Sequence, residues 1–188
     1  MATRDAQEAI LRTLIYFDIY DFPLTRAEIQ KCLFGGNNFG AEFEPALDES
    51  LKSDQIKTLE GFYFLPGRAD LIDTRKNRYL LAQKKIALAQ KSVKLLRRCP
   101  FIEAIFLCND LAYLNSPDDG DIDLTIVAKT GKIWTARFFT TLLMAILRRR
   151  PTPNKRKNKI CLSFFIADNA LALQNLAYDK DIHFTYWQ

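Results

Sequence analysis

The sequence predicts an α+β chain in three parts, and three observations carry that reading. Residues 1–67 show helix-period apolar patterns punctuated by Pro and Gly and closed by two short apolar runs around Glu60-Gly61. Residues 68–98 contain neither Gly nor Pro and keep one helical stripe throughout. From Phe101 onward, short strand-like runs alternate with a long apolar helix pattern.

In the first part a helix is expected from about Thr3 to Tyr20, with Ile10, Leu11, Leu14, Ile15 and Phe17 on its apolar face. Phe22-Pro23 ends it. Thr25 is placed to cap a second helix running through Leu33, and Glu28, three residues on, completes a capping box. After the Gly35-Gly36-Asn37-Asn38 loop a third helix is expected from Phe43 to Ser53, then a hairpin of Ile56–Leu59 and Phe62–Leu65. Three helices and a hairpin spell a winged-helix-like module over residues 1–67. Such modules commonly read DNA with the third helix, but Glu42, Glu44, Asp48, Glu49 and Asp54 surround a single Lys52 there. That face would repel a phosphate backbone, so specific DNA binding is not expected, and the module is read as packing on the rest of the chain or docking a protein.

Residues 68–99 read as a long basic connecting helix. Ile72, Tyr79, Ile86 and Val93 recur every seven residues, with Ala82, Ala89 and Leu96 interleaved. The remaining faces are rich in Lys, Arg and Gln, among them Arg75, Lys76, Arg78, Lys84, Lys85, Lys91, Lys94, Arg97 and Arg98. They read as solvated charge or as a surface that collects RNA or another polyanion. A second basic run, Arg148 to Lys159, has seven cations and no acid, and is read either as a loop that meets phosphates or as a solubilising connection.

The charge is unevenly distributed. The whole chain of 188 residues carries 27 basic and 22 acidic residues, but residues 1–67 hold six and eleven of these, and residues 68–98 ten and two. The four cysteines show no Cys-x-x-Cys spacing and the one histidine, His183, lies near the end, which argues against zinc chemistry and histidine acid–base catalysis. The longest apolar run, Phe138 to Leu147, is too short to span a bilayer, and no charged leader opens the chain. A cytoplasmic protein with reduced thiols and no membrane partner is expected.

The chemistry concentrates at Asp121-Ile122-Asp123. Residues two apart on a strand project to one face, so both carboxylates point the same way while Ile122, Leu124, Ile126 and Val127 supply the buried body. Paired acids call for a counter-cation unless open water solvates both, so the pair is a candidate divalent metal site.

The run before it reads as a strand at Ala104–Leu107, a turn at Cys108-Asn109-Asp110, a helical stub at Leu111–Leu114 and a loop Asn115-Ser-Pro-Asp-Asp-Gly120. This order resembles the DNA polymerase β-type nucleotidyltransferase superfamily, in which a Gly-Ser pair after one strand is followed by Asp-x-Asp on the next. Asp121 to Phe139, with Lys159 to Ile166 downstream, looks like the corresponding segment of uncharacterised bacterial nucleotidyltransferase-like proteins. The resemblance implies a mixed sheet with helices over residues 100–188. It also implies Mg²⁺- or Mn²⁺-assisted transfer of a nucleoside monophosphate from a nucleoside triphosphate, with Asp121 and Asp123 as the catalytic, metal-holding acids.

Two departures accompany it. Asn109 and Asp110 stand where the family has Gly and Ser, so they are the nucleotide-binding candidates of the turn. Asn tolerates positive φ, but Asp110 adds negative charge where a triphosphate would lie. Asp110 is alternatively a third metal ligand or the cap of the following helix. The strand Lys159–Ile166 carries no third acid; Ser163 holds its inward polar position, and Asp168 or Asn169 is read as the cap of a helix Ala170–Ala177. Lys129 and Arg137 are further phosphate candidates. The two functional readings are therefore a Mg-dependent nucleotidyltransferase, active or degenerate, and a non-catalytic adaptor or regulator that binds a nucleotide, polyanion or protein through the same fold.

Overall fold

The computed structural model describes residues 2–35 and 39–173. The expected helix Ala170–Ala177 falls largely outside these residues, as do His183 and the aromatic ending Asp181–Gln188. The fold is α+β, and the chain divides into two compact units, Met1–Asn77 and Arg78–Gln188.

In the first unit α1 (Ala2–Asp18) turns Ile10, Leu14 and Phe17 into a core completed by Ile29 of α2 (Arg26–Lys31) and Phe43, Ala46 and Leu47 of α3 (Phe43–Lys52). A three-stranded antiparallel sheet joins β1 (Leu24–Thr25), β2 (Lys57–Leu59) and β3 (Phe62–Phe64) in the order β1-β3-β2. The β2–β3 turn needs two left-handed residues, and Glu60 (φ 53°) and Gly61 (φ 80°) supply them. The Thr25–Glu28 capping box forms as the spacing predicts, with Glu28 Oε2 accepting from Thr25 N at 2.8 Å. The other oxygen of Glu28 accepts from Arg75 Nη2 at 2.6 Å, and the Arg75 guanidinium lies 3.3 Å from the centre of the Phe22 ring.

The helix α4 (Leu71–Leu96) contributes its first turns to this unit and its remainder to the second. Of the predicted stripe, Ala82, Ala89 and Leu96 are buried and Ile86 and Val93 pack beside them, whereas Tyr79 is exposed. The basic residues are not uniformly solvated. Arg75 is engaged with Phe22 and Glu28, and Lys85 is only 2% exposed, which corrects the reading of both as solvated or polyanion-collecting charge.

The second unit is a mixed three-stranded sheet in the order β4 (Ile102–Leu107), β5 (Ile122–Ala128), β6 (Ile160–Ala167), with β4 antiparallel and β6 parallel to the central β5. The parallel pair requires a crossover, which α6 (Ile133–Ile146) provides. Ile122, Leu124 and Ile126 are fully buried against α4 and α6, through Ala82, Ala89, Leu96 and Met144. Each of these strand residues contributes roughly 1.5–3 kcal/mol by leaving water. The alternate residues Asp123, Thr125 and Val127 belong to the opposite, outer face. α6 is apolar on both sides: Ala136, Thr140 and Met144 are buried, while Trp134 is 79% exposed and Phe138 and Ile146 are also exposed.

The β5–β6 register contains one irregularity. Asp123 pairs with Cys161 and Leu124 with Leu162, but Thr125 pairs with Phe164, leaving Ser163 as an extra residue. This bulge advances β6 by one, so Phe164 and Ile166 join the outer face and Phe165 packs on the core.

Candidate active site

The end of β5 that receives the chain from the 115–120 loop gathers the polar chemistry of the second unit. Ligand atoms of Asp121, Asp123 and Cys161 all lie within 4.8 Å of one another. Parallel pairing sets Cys161 beside Asp123, and the bulged Ser163 donates its hydroxyl proton to Asp123 Oδ1 while its oxygen lies 3.2 Å from Cys161 Sγ. Asp121 is held at the strand entrance: Ile122 N donates to Lys159 O at 2.7 Å and Asn158 N to Gly120 O at 3.2 Å.

The charge balance is negative at the centre and positive at the rim. Arg156 Nη2 stands 3.6 Å from Asp121 Oδ2, with the arginine side chain 65% exposed and the aspartate 12%. Lys157 Nζ bonds Asp118 Oδ2 at 2.6 Å, which with partial opposition from desolvation holds that exposed carboxyl below the usual range. Burial pushes the Cys161 thiol up, and the charges of Asp123 and Asp121 push the same way against the Ser163 hydroxyl. Cys161 is therefore a neutral thiol that a bound cation would have to deprotonate. Cys108, at the end of β4, is raised by burial as well. The donor set fits a divalent cation: two hard carboxylate oxygens with one soft sulfur, a mixture that suits Mn²⁺ or Mg²⁺ on the oxygens and rewards softer ions at the sulfur.

Of the turn candidates, Asn109 adopts φ 55°, the left-handed conformation that the glycine of the resemblance would take without strain. Asp110 does not cap a helix starting at Leu111. The helix α5 is Asn109–Ala112 with Cys108 at its cap position, so Asp110 lies in its first turn. Its carboxyl is held above the usual range, by desolvation first and then by the negative charge of Asp123, against Arg78 and Lys85. The residue as a whole remains exposed, so the energetic weight of this shift is small.

Lys129 and Arg137 are not gathered with the acids. Lys129 follows the far end of β5, roughly 20 Å from Asp123 at the usual strand rise. Arg137 belongs to α6, its guanidinium 5.3 Å from the Phe165 ring centre and 5.9 Å from that of Trp134. Asp168 is also distant, at the same far end: its backbone N–H donates to Ala128 O, and its carboxylate accepts from Thr130 N at 3.0 Å and from the Thr130 hydroxyl. That ties the carboxylate to the loop after β5, at the opposite end of the sheet from the acids; the helix that Asp168 or Asn169 is expected to cap lies largely outside the described residues.

Two site residues are invisible to sequence reasoning. Cys161 is 38 positions from Asp123 and reaches it only through strand register. Lys85 resembles its solvated neighbours until its burial is seen. A cleft of about 350 Å³ opens on the outer face beyond the acids, lined in part by Phe106, Cys108, Thr125, Val127 and Phe164. The chain matches no family model, no curated protein and no solved structure. Among the described residues, no helix is long and apolar enough to cross a membrane.

Proposed function

We propose that the second unit is a divalent-cation-dependent nucleotidyltransferase-like domain, with Asp121 and Asp123 holding Mg²⁺ or Mn²⁺ against a nucleoside triphosphate. The observation that carries this reading is the convergence of Asp121, Asp123 and Cys161 at the entrance of the central strand. When bound, the cation supplies charge neutralisation and Lewis acidity at a phosphoryl group. The chain's own residues fix its place and surround it: Ser163 orients the Asp123 carboxylate, and Arg156 and Lys157 bring positive charge to the rim. The reaction joins an acceptor hydroxyl oxygen to the α-phosphorus, breaks the bond to pyrophosphate, and releases the hydroxyl proton to solvent or to a base of the acceptor.

A second reading, nucleotide binding without turnover, is favoured by one specific feature. Ser163 stands beside Asp123 where the resemblance calls for an acid that activates the acceptor, and a serine hydroxyl at neutral pH is a poor base. In the first unit, the helices and hairpin support a winged-helix-like module, and the exposed Glu44, Asp48 and Glu49 of α3 support a protein partner over DNA.

The two readings part in one experiment: thermal melting with millimolar Mn²⁺ or Mg²⁺, with and without nucleoside triphosphate, combined with an assay for pyrophosphate release. A transferase gives a metal-dependent shift enlarged by triphosphate, plus pyrophosphate release, all lost in Asp121→Asn with Asp123→Asn. A binder gives the shifts without release. Absence of any shift removes both readings.

A further inference from the structure

Lys85 is a lysine that α4 carries inward to near-complete burial, where desolvation lowers its pKa against the attraction of Asp118, Asp119 and Asp121. An ammonium has three protons, and all three find acceptors in one short loop: Ser116 Oγ at 2.9 Å, the Pro117 carbonyl, and Gly120 O at 2.8 Å. That loop delivers the chain to Asp121. Simple packing would be served better by Leu or Met, because burying an ammonium is costly and its partners here are neutral oxygens.

The geometry around the ammonium is closely filled. A Cβ on Gly120 would lie 3.3 Å from Lys85 Nζ and 3.2 Å from Pro117 Cγ, so glycine allows the loop to close over the lysine. The Gly120 carbonyl is held from two sides, by Lys85 Nζ and by Asn158 N, and the next amide but one, Ile122 N, is fixed on Lys159 O. Asp121 lies between these two anchored peptides. One turn of loop earlier, Asn115 accepts from Arg78 Nη1 at 3.3 Å, and Asn115 and Ser116 are both buried.

We propose that Lys85 is a positioning residue, which gathers the 116–120 loop onto α4 and thereby sets the Asp121 carboxylate beside Asp123 for a divalent cation. The inference rests on the metal reading of the acid pair and adds to it the device that holds the pair together. It carries a sign of its own. As a mere charge near the acids, Lys85 repels a cation, and its removal would tighten metal binding. As a clamp it holds the ligands in place, and its removal weakens binding.

The test is the affinity of the full chain for Mn²⁺ alone, measured by electron paramagnetic resonance titration on folded protein for the wild type, Lys85→Met and Gly120→Ala. Partners that orient metal ligands are typically worth tenfold or more in affinity, so Lys85→Met should bind Mn²⁺ about tenfold more weakly. Gly120→Ala, which presses on Nζ and the Pro117 ring and leaves the lysine in place, should weaken binding in the same direction. Hydrogen exchange at the Ile122 amide should accelerate in Lys85→Met, relative to amides in the middle of β5. Unchanged or tighter Mn²⁺ binding in Lys85→Met overturns the proposal; if that variant does not fold, unchanged binding in Gly120→Ala does so. A wild type that does not bind Mn²⁺ overturns the metal reading and the metal role of Lys85 with it, and leaves the exchange rates to decide whether the clamp exists.

Discussion

Cys161 and Asp123 are register partners across the parallel β5–β6 pairing, which places a thiol where only carboxylates were sought. The consequence is a site with a mixed appetite for metals. Cys161→Ser should weaken binding of Cd²⁺ or Zn²⁺ by tenfold or more and change Mn²⁺ or Mg²⁺ affinity far less, because sulfur favours soft ions and hard ions rely on oxygen. Isothermal titration with each ion checks this; equal losses for Cd²⁺ and Mg²⁺ would mean that Cys161 is not a ligand.

Asp110 gives a pH-dependent prediction. Its carboxyl is raised in the folded state, so between the ordinary carboxylate pKa and the folded one the native protein binds more protons than the unfolded chain. The favourable term is full at low pH and lost as pH rises through the folded pKa. Asp110→Asn should therefore be more stable than wild type at neutral pH, by less than about 1 kcal/mol given the exposure of the residue, with the advantage fading in acid. Urea titrations at several pH values test it, and a variant less stable at pH 7 would contradict it.

Glu28 serves two structures with one carboxylate, the capping box at Thr25 and the ion pair with Arg75. Thr25→Ala should cost about 1 kcal/mol by loss of the cap. Glu28→Ala should cost more, about 3–4 kcal/mol, because it also strands a largely buried guanidinium. Denaturant midpoints of the two variants decide the order.

The basic loop is open to a direct test once its structural members are set aside. Arg149 donates to Ser92 Oγ at 3.0 Å and Lys159 to Arg148 O at 2.7 Å, so they should be left intact. Replacing Arg150, Lys155 and Arg156 with Ala should lower retention on heparin and flatten its salt dependence. Unchanged retention would assign the loop to solubility.

The sequence made the local devices legible and left the distant ones hidden. The Thr25–Glu28 box, the Glu60-Gly61 turn and the alternation of Ile122, Leu124 and Ile126 all depend on neighbours within a few residues, and each appears as spaced. Ser163, expected as the inward polar residue of its strand, instead meets Asp123 on the outer face as the extra residue of a bulge, which strand periodicity does not announce. Cys161 at the acids, Lys85 beneath the loop and Asp168 at the far end of the sheet depend on register and on which face of α4 turns inward. Spacing along one strand or helix does not encode those relationships.

The extra residue in β6 links the two faces of the sheet by counting. Cys161, Ser163 and Phe165 are each two apart in sequence, yet the first two meet the acids and Phe165 packs on the core, because one extra residue stands between the paired Leu162 and Phe164. A substitution at Ser163 removes one hydroxyl from the acids. Deleting the residue would leave Phe164 opposite Thr125 and Phe165 opposite Ile126, as they are now, and would take from the strand only its bulge and from the acids only their hydroxyl. At this position the fold should tolerate a change of length as well as of letter, and the acids should register the loss.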